Sequence, residues 1–213
     1  MPSRTGYKLP LAKRGPRPPR PRPIPFTRDE IRRIFNYRKD ANNPWLLRSR
    51  ALYSVLYRGA LRIGATLRMK PTDIDWQHRT IRIYKDKGGK TRSVPLDVKT
   101  FELLYTWATT RTGFGIGDDA PFFCAYRNGS RGNPLSYASV RLQFIKLLRA
   151  AGIDRYVSLH LFRHTGASEL LEEGFDVCTI SRLLGHADLL TTYRYRHELR
   201  PDLMNLRVAQ REW

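Results

Sequence analysis

Cysteine is nearly absent. The 213-residue chain has two, Cys124 and Cys178, far apart and outside any CxxC or Cys/His ligand spacing. That excludes a disulfide framework and a zinc finger, and it suits a reducing compartment. Acidic residues are scarce too, with 19 Asp and Glu against 39 Lys and Arg, and none precedes Asp29. There is no carboxylate cluster of the kind that holds Mg²⁺, so no such metal site is expected. No apolar run approaches the roughly 18 residues of a membrane span. Residues 1–25 lack the apolar stretch of a secretory leader. These absences predict a soluble cytoplasmic protein.

What is abundant is positive charge. The formal net charge is +20, which favours polyanionic partners, nucleic acid above all. A ribosomal-type basic protein would share that charge, so composition alone does not decide between them. Residues 1–25 carry eight prolines and seven Lys or Arg. Proline fixes φ and lacks an N–H, so PRPPRPRPIP cannot form a helix or a central strand. This segment reads as an extended basic arm. It is either a plain linker or an arm that lays Arg17, Arg20 and Arg22 along DNA phosphates.

The remainder reads as mainly α-helical with a small antiparallel sheet, an α+β domain. Thr27 and Glu30 have the capping-box form, ahead of apolar Ile31, Ile34 and Phe35. Leu46 to Tyr57 is apolar-periodic, and a second helical pattern surrounds LRIGATLRM. HRTIRIY and TRSVPL, joined through KDKGGK, form a hairpin. Lys99 to Arg111 and Tyr137 to Ala151 are helical. Between them lies a Gly/Asp/Asn/Pro-rich loop with one short apolar strand at APFFCAY. Helices follow around residues 160–173, 176–184 and 188–195, with a terminal helix from Asp202.

Several charged groups stand out along this frame. Arg62 sits between Leu61 and Ile63; a charge in an apolar segment is paired, exposed or functional. Lys87 lies in a basic run with Lys85, Lys90 and Arg92, which is either a solvated turn or a cationic tip that touches DNA. His160 and Arg163 are three apart, so a helix puts them on one face, while His164 points elsewhere and reads as structural. His186 follows Leu-Leu-Gly, and Tyr195 comes nine residues later, with Tyr193 as a rival.

Taken in order, these pieces resemble the tyrosine recombinase (phage integrase) family, whose catalytic fold is shared with type IB topoisomerases. LYRGALRIG resembles the box of the first arginine, KGGKTRSVPL the lysine hairpin, HLFRHTGAS the HxxRH box, and LLGHADLLTT the segment before the tyrosine. The resemblance spans about residues 26–200. It implies that Arg62, Lys87, His160, Arg163, His186 and the nucleophile Tyr195 are catalytic. The family spacing selects Tyr195 over Tyr193. Two departures accompany it. Ala65 occupies the place of a usual acidic residue, and the arm at 1–25 stands where a helical core-binding domain usually precedes the catalytic domain, here expected over 26–213.

The chemistry the resemblance implies is metal-free and needs no cofactor. The Tyr195 hydroxyl attacks a DNA phosphodiester, forming a 3′-phosphotyrosyl bond and releasing a 5′-hydroxyl. Arg62 and Arg163 would clamp the non-bridging oxygens, and His186 would donate a further hydrogen bond. Lys87 would protonate the leaving oxygen, and His160 would favour loss of the tyrosine proton. The implied partners are double-stranded DNA, further copies of the chain in a tetrameric synapse, and an accessory protein. Residues 202–213 are a candidate for the segment exchanged between copies. The implied location is the nucleoid. Two other readings share the motifs: a DNA-binding relative that does not cleave, motivated by Ala65 and the missing domain, and a topoisomerase-like relaxase.

Overall fold

The computed structural model describes residues 24–40, 42–84, 91–155 and 157–185. The basic arm, Lys85, Lys87, Lys90, His186, Tyr193, Tyr195 and the helices expected at 188–195 and from Asp202 lie outside the described residues.

Seven helices and one sheet are described. They are α1 (Arg28–Asn36), α2 (Pro44–Arg58), α3 (Ile63–Arg68), α4 (Val98–Gly113), α5 (Tyr137–Ala150), α6 (His160–Glu172) and α7 (Val177–Leu184). Local chemistry sets most of their starts. The Thr27 hydroxyl accepts from Glu30 N–H, and the Glu30 carboxylate accepts from Thr27 N–H, which completes the capping box. Asn43 caps α2 with Pro44 in its first turn, while Asp97, Ser136 and Asp176 cap α4, α5 and α7. In each case a side-chain oxygen takes one of the first N–H groups that no helix can satisfy internally.

The sheet has the order β1 (Ile74–Asp75), β2 (Thr80–Ile83), β3 (Arg92–Pro95), all antiparallel. Ile81 pairs with Val94 and Ile83 with Arg92. Ile74, Ile81, Ile83 and Val94 are buried, so alternate positions face the core as a one-sided sheet requires. The hairpin expectation holds. The two-residue β1 has no alternating pattern to betray it and was not expected.

The strand expected at APFFCAY is absent. Only one bridge forms there, between Cys124 and Pro134. The backbone is satisfied in other ways: Phe122 N–H donates to Met69 O at 2.7 Å, Phe122 O accepts from Trp107 Nε1 at 2.8 Å, and Cys124 O accepts from Arg48 at 2.8 Å. With those groups paired to a loop and two side chains, no ladder is needed to bury Phe122 and Phe123.

The core centres on an aromatic knot. Tyr53 of α2 stacks on Phe162 of α6 at 5.3 Å between centroids, with Phe26 at 5.0 Å and Phe144 of α5 at 5.3 Å from Phe162. Such pairs add about 0.5–1.5 kcal/mol beyond area burial. A second, smaller cluster of Ala60, Ala167, Leu171, Ile180 and Leu184 holds α7 against α6. Among the described residues no helix is long and apolar enough to cross a membrane.

The entry of the chain into the domain is pinned by Arg155. Its guanidinium donates to both Glu30 carboxylate oxygens at 2.7 Å and to the carbonyls of Ile24 and Pro25 at 2.9 Å. This partnership is the main reason the buried Glu30 carboxyl sits below its ordinary pKa. A group with a depressed folded pKa stabilises above its unfolded value and loses that contribution as pH falls through the folded one. Arg155→Ala is therefore expected to lower stability by about 2 kcal/mol at neutral pH. Urea melts should show the deficit shrinking toward acid. A deficit independent of pH would assign it to packing alone.

Candidate active site

Arg163 is the centre of the site's architecture. It lies on the first turn of α6 and is 1% exposed. One terminal nitrogen donates to Ala60 O at 2.6 Å and the other to Leu184 O at 2.9 Å. Ala60 lies two residues before Arg62, and Leu184 two residues before His186. One guanidinium thus joins three boxes that the sequence keeps far apart. A buried cation is tolerable here because it meets strong acceptors. Leu184 O is a terminal carbonyl of α7, at the negative end of the helix dipole.

The turn that offers Ala60 O is itself unusual. Ala60 has φ +46° and is fully buried. The left-handed region costs a non-glycine residue roughly 1–2 kcal/mol. The methyl group that incurs this cost packs in the cluster under α7. Arg62 then caps α3 from an extended conformation, its carbonyl accepting from Ala65 and Thr66 N–H at 3.0 Å. Arg62 therefore precedes the helix rather than lying within it, and it is half-buried. Ala65, where an acid was noted as missing, packs into the core.

His160 begins α6. Its side chain reaches solvent, yet the ring lies in a crowded, cationic part of the surface. Partial burial, then the charges of Arg163, His164 and Arg62, hold its pKa below the ordinary histidine value. At neutral pH the ring is uncharged and can accept a proton. His164 is buried, as its different face on the helix suggested.

Arg92 departs from the open basic run that the sequence suggested. It is half-buried, and its Nε donates to Leu183 O at 3.1 Å, beside the carbonyl that Arg163 holds. Gly185 closes α7 in the left-handed conformation, φ +64°.

The chain and its fold have counterparts among known proteins. A model of the phage integrase family matches residues 25–200. The chain belongs to that family. It is 36% identical over 186 residues to a tyrosine recombinase XerC of Agrobacterium fabrum, covering 86% of this chain and 57% of that protein. The crystal structure of a XerA recombinase superposes with a TM-score of 0.75 at 27% identity, covering 93% of this chain and 67% of that one. XerH, a site-specific recombinase solved bound to a palindromic difH substrate in a post-cleavage complex, superposes with a TM-score of 0.71 at 26% identity, covering 86% of this chain and 52% of that one. This phage integrase family member has the catalytic-domain fold of those recombinases. The chain spans about half the length of the curated relatives it matches.

Within the family member, several arginines serve the fold, which the charge count could not reveal. Arg33 donates to the carbonyls of Ala151 and Gly152 past the end of α5. Arg50 does so to Tyr37 and Lys39 past α1. Arg48 holds Cys124 O, and Arg111 holds Gly117 O. A guanidinium suits this work because its fork reaches two carbonyls at once and stays charged. Gly166 of α6 serves the packing as well, since a Cβ there would stand 2.0 Å from Tyr57 O of α2; a glycine inside a helical pattern is the signal that could have found it.

Proposed function

We propose that this chain is the catalytic domain of a site-specific DNA recombinase that cleaves and rejoins strands through a 3′-phosphotyrosyl intermediate. The observation that carries the reading is the junction at Arg163, which ties the Arg62 turn and the segment leading to His186 to the helix that bears His160. A trigonal-bipyramidal phosphorane carries extra negative charge on its non-bridging oxygens. Arg62 and Arg163 are assigned to that charge, together with His186. In the cleavage step the Tyr195 oxygen bonds to phosphorus, the phosphorus–O5′ bond breaks, and Lys87 gives O5′ a proton. Neutral His160 is suited to receive the tyrosine proton. Lys85, Lys90 and the arginines of the arm, Arg17, Arg20 and Arg22, are assigned to DNA phosphates. The reaction would take place on chromosomal or element DNA in the cytoplasm, within a tetramer of the chain and with an accessory protein supplying contacts beyond this domain.

A second reading keeps DNA binding and drops cleavage. Ala65 favours it, since its methyl group lies in the core where a carboxylate would otherwise help orient Arg62.

Nicked suicide duplexes from the DNA flanking the gene separate the two. A covalent adduct on denaturing gels is expected for the parent and for Tyr193→Phe, and none for Tyr195→Phe. With His160 depressed, the rate of adduct formation should hold as pH falls through about 6.5, the ordinary histidine value, and decline only below it. Binding of a cognate site without adduct in the parent would establish the second reading.

A further inference from the structure

The base of the lysine hairpin and the end of α7 meet at one contact. Arg92 opens β3 opposite Ile83, so Lys87 falls in the stretch of sequence between the two paired strands. Its Nε donates to Leu183 O, 91 residues away in sequence. Its guanidinium also lies across Gly185. A Cβ at that position would stand 2.1 Å from one terminal nitrogen of Arg92 and 2.6 Å from its Cζ. Gly185 thus meets two demands at once: the left-handed turn that ends α7, and a bare backbone for the guanidinium to cover. Leu183 O and Leu184 O are adjacent terminal carbonyls of α7. The first is held by Arg92 and the second by Arg163. Each comes from a different box, and both act just ahead of His186.

We infer that Arg92 and Gly185 form a lock that fixes the hairpin base against the end of α7, making Arg92 a positioning residue for Lys87 and His186 rather than a contact to DNA. The assignment of catalytic roles to those two residues rests on the function proposed above. Lys87 and His186 lie on separate chain segments. Neither segment can set the other's position through local structure. A misplacement of about 1 Å at a reacting centre can cost on the order of 100-fold in rate. An arginine that touches DNA instead would contribute affinity and salt dependence, with little demand on its own packing.

The two roles predict opposite results for Arg92→Lys and Arg92→Gln. The lock needs a planar fork with an Nε–H, which lysine lacks. Single-turnover cleavage of a nicked suicide duplex should therefore fall about 100-fold in both variants, while Kd and its salt dependence stay at parent values. If Arg92→Lys cleaves like the parent, and Arg92→Gln binds more weakly with a salt slope reduced by about one, the lock is overturned and Arg92 is a phosphate contact.

A thermal double-mutant cycle tests the same contact without cleavage. Gly185→Ala should lower Tm more in the parent than in the Arg92→Ala background, because only the parent has a guanidinium for the new methyl to strike. Equal drops in the two backgrounds would overturn the lock. A parent that forms no adduct, together with a non-additive cycle and unchanged DNA affinity in Arg92→Gln, would sink the proposed cleavage while the lock stands.

Discussion

Gly166→Ala should cost this domain on the order of 4 kcal/mol or prevent folding, an effect in the exceptional range for one methyl group. In most helices the change has the opposite sign, because alanine is favoured over glycine by roughly 1 kcal/mol. Here α6 crosses α2 directly at the glycine. A Cβ would stand 2.0 Å from Tyr57 O and 3.1 Å from Tyr57 C. Both atoms are backbone, so no side chain can swing aside. The helices would have to separate, and the stacked pair of Tyr53 and Phe162 spans the same interface. Close-packed interiors transmit such a shift rather than absorb it. Gly64→Ala is the control: its nearest neighbour would be an Arg68 nitrogen at 3.5 Å, and the site is exposed, so its stability should stay within about 1 kcal/mol of the parent. Urea denaturation of the two variants checks both claims. A Gly166→Ala protein as stable as the parent would mean that the helices do not cross as closely as described.

Arg163→Ala and Arg163→Lys should fail in two ways at once. Each buried carbonyl left without its donor costs about 1–3 kcal/mol. Arg163→Ala strands both Ala60 O and Leu184 O, so a loss of about 3 kcal/mol is expected. A lysine carries one ammonium on a flexible stem and cannot span the two carbonyls, so Arg163→Lys should recover little of the loss. Adduct formation should also drop, by about 10²–10³-fold or more, the usual consequence of removing a transition-state donor. Denaturation midpoints and suicide-substrate cleavage, measured on the same preparations, separate the two effects. If Arg163→Lys kept parental stability and lost only cleavage, the guanidinium would be a purely chemical group and not the tie between three segments.

The contrast between Arg163 and Arg92 shows how far residue type alone reaches. Arg163 stood out because its spacing from His160 puts both on one helical face, and α6 does begin at His160. Arg92 stood in a basic run, and charge runs usually face solvent. Its inward turn depends on the α7 carbonyls, which come from a distant part of the chain. The same holds for Arg33 and Arg50, whose acceptors are the unpaired ends of other helices. Counting charge predicted a polyanion surface, but a share of those arginines closes helix ends instead.

What the sequence determined by itself are the features with short-range causes. The capping box at Thr27 and Glu30, the caps at Asn43, Asp97 and Asp176, and the hairpin across Ile83 and Arg92 depend on residues a few positions apart. The ordered boxes that mark the family are equally local, each a run of about ten residues. Only the tertiary structure decided what joins them. Ala60 adopts a left-handed turn that no alanine would choose alone. The strand expected at APFFCAY gave way to pairing with Met69, Trp107 and Arg48. Gly166 and Gly185 matter because of the backbone and guanidinium that approach them. Local propensity depends on neighbours along the chain, whereas the partners of a buried carbonyl, a bare glycine or a covered guanidinium are fixed only when distant segments pack.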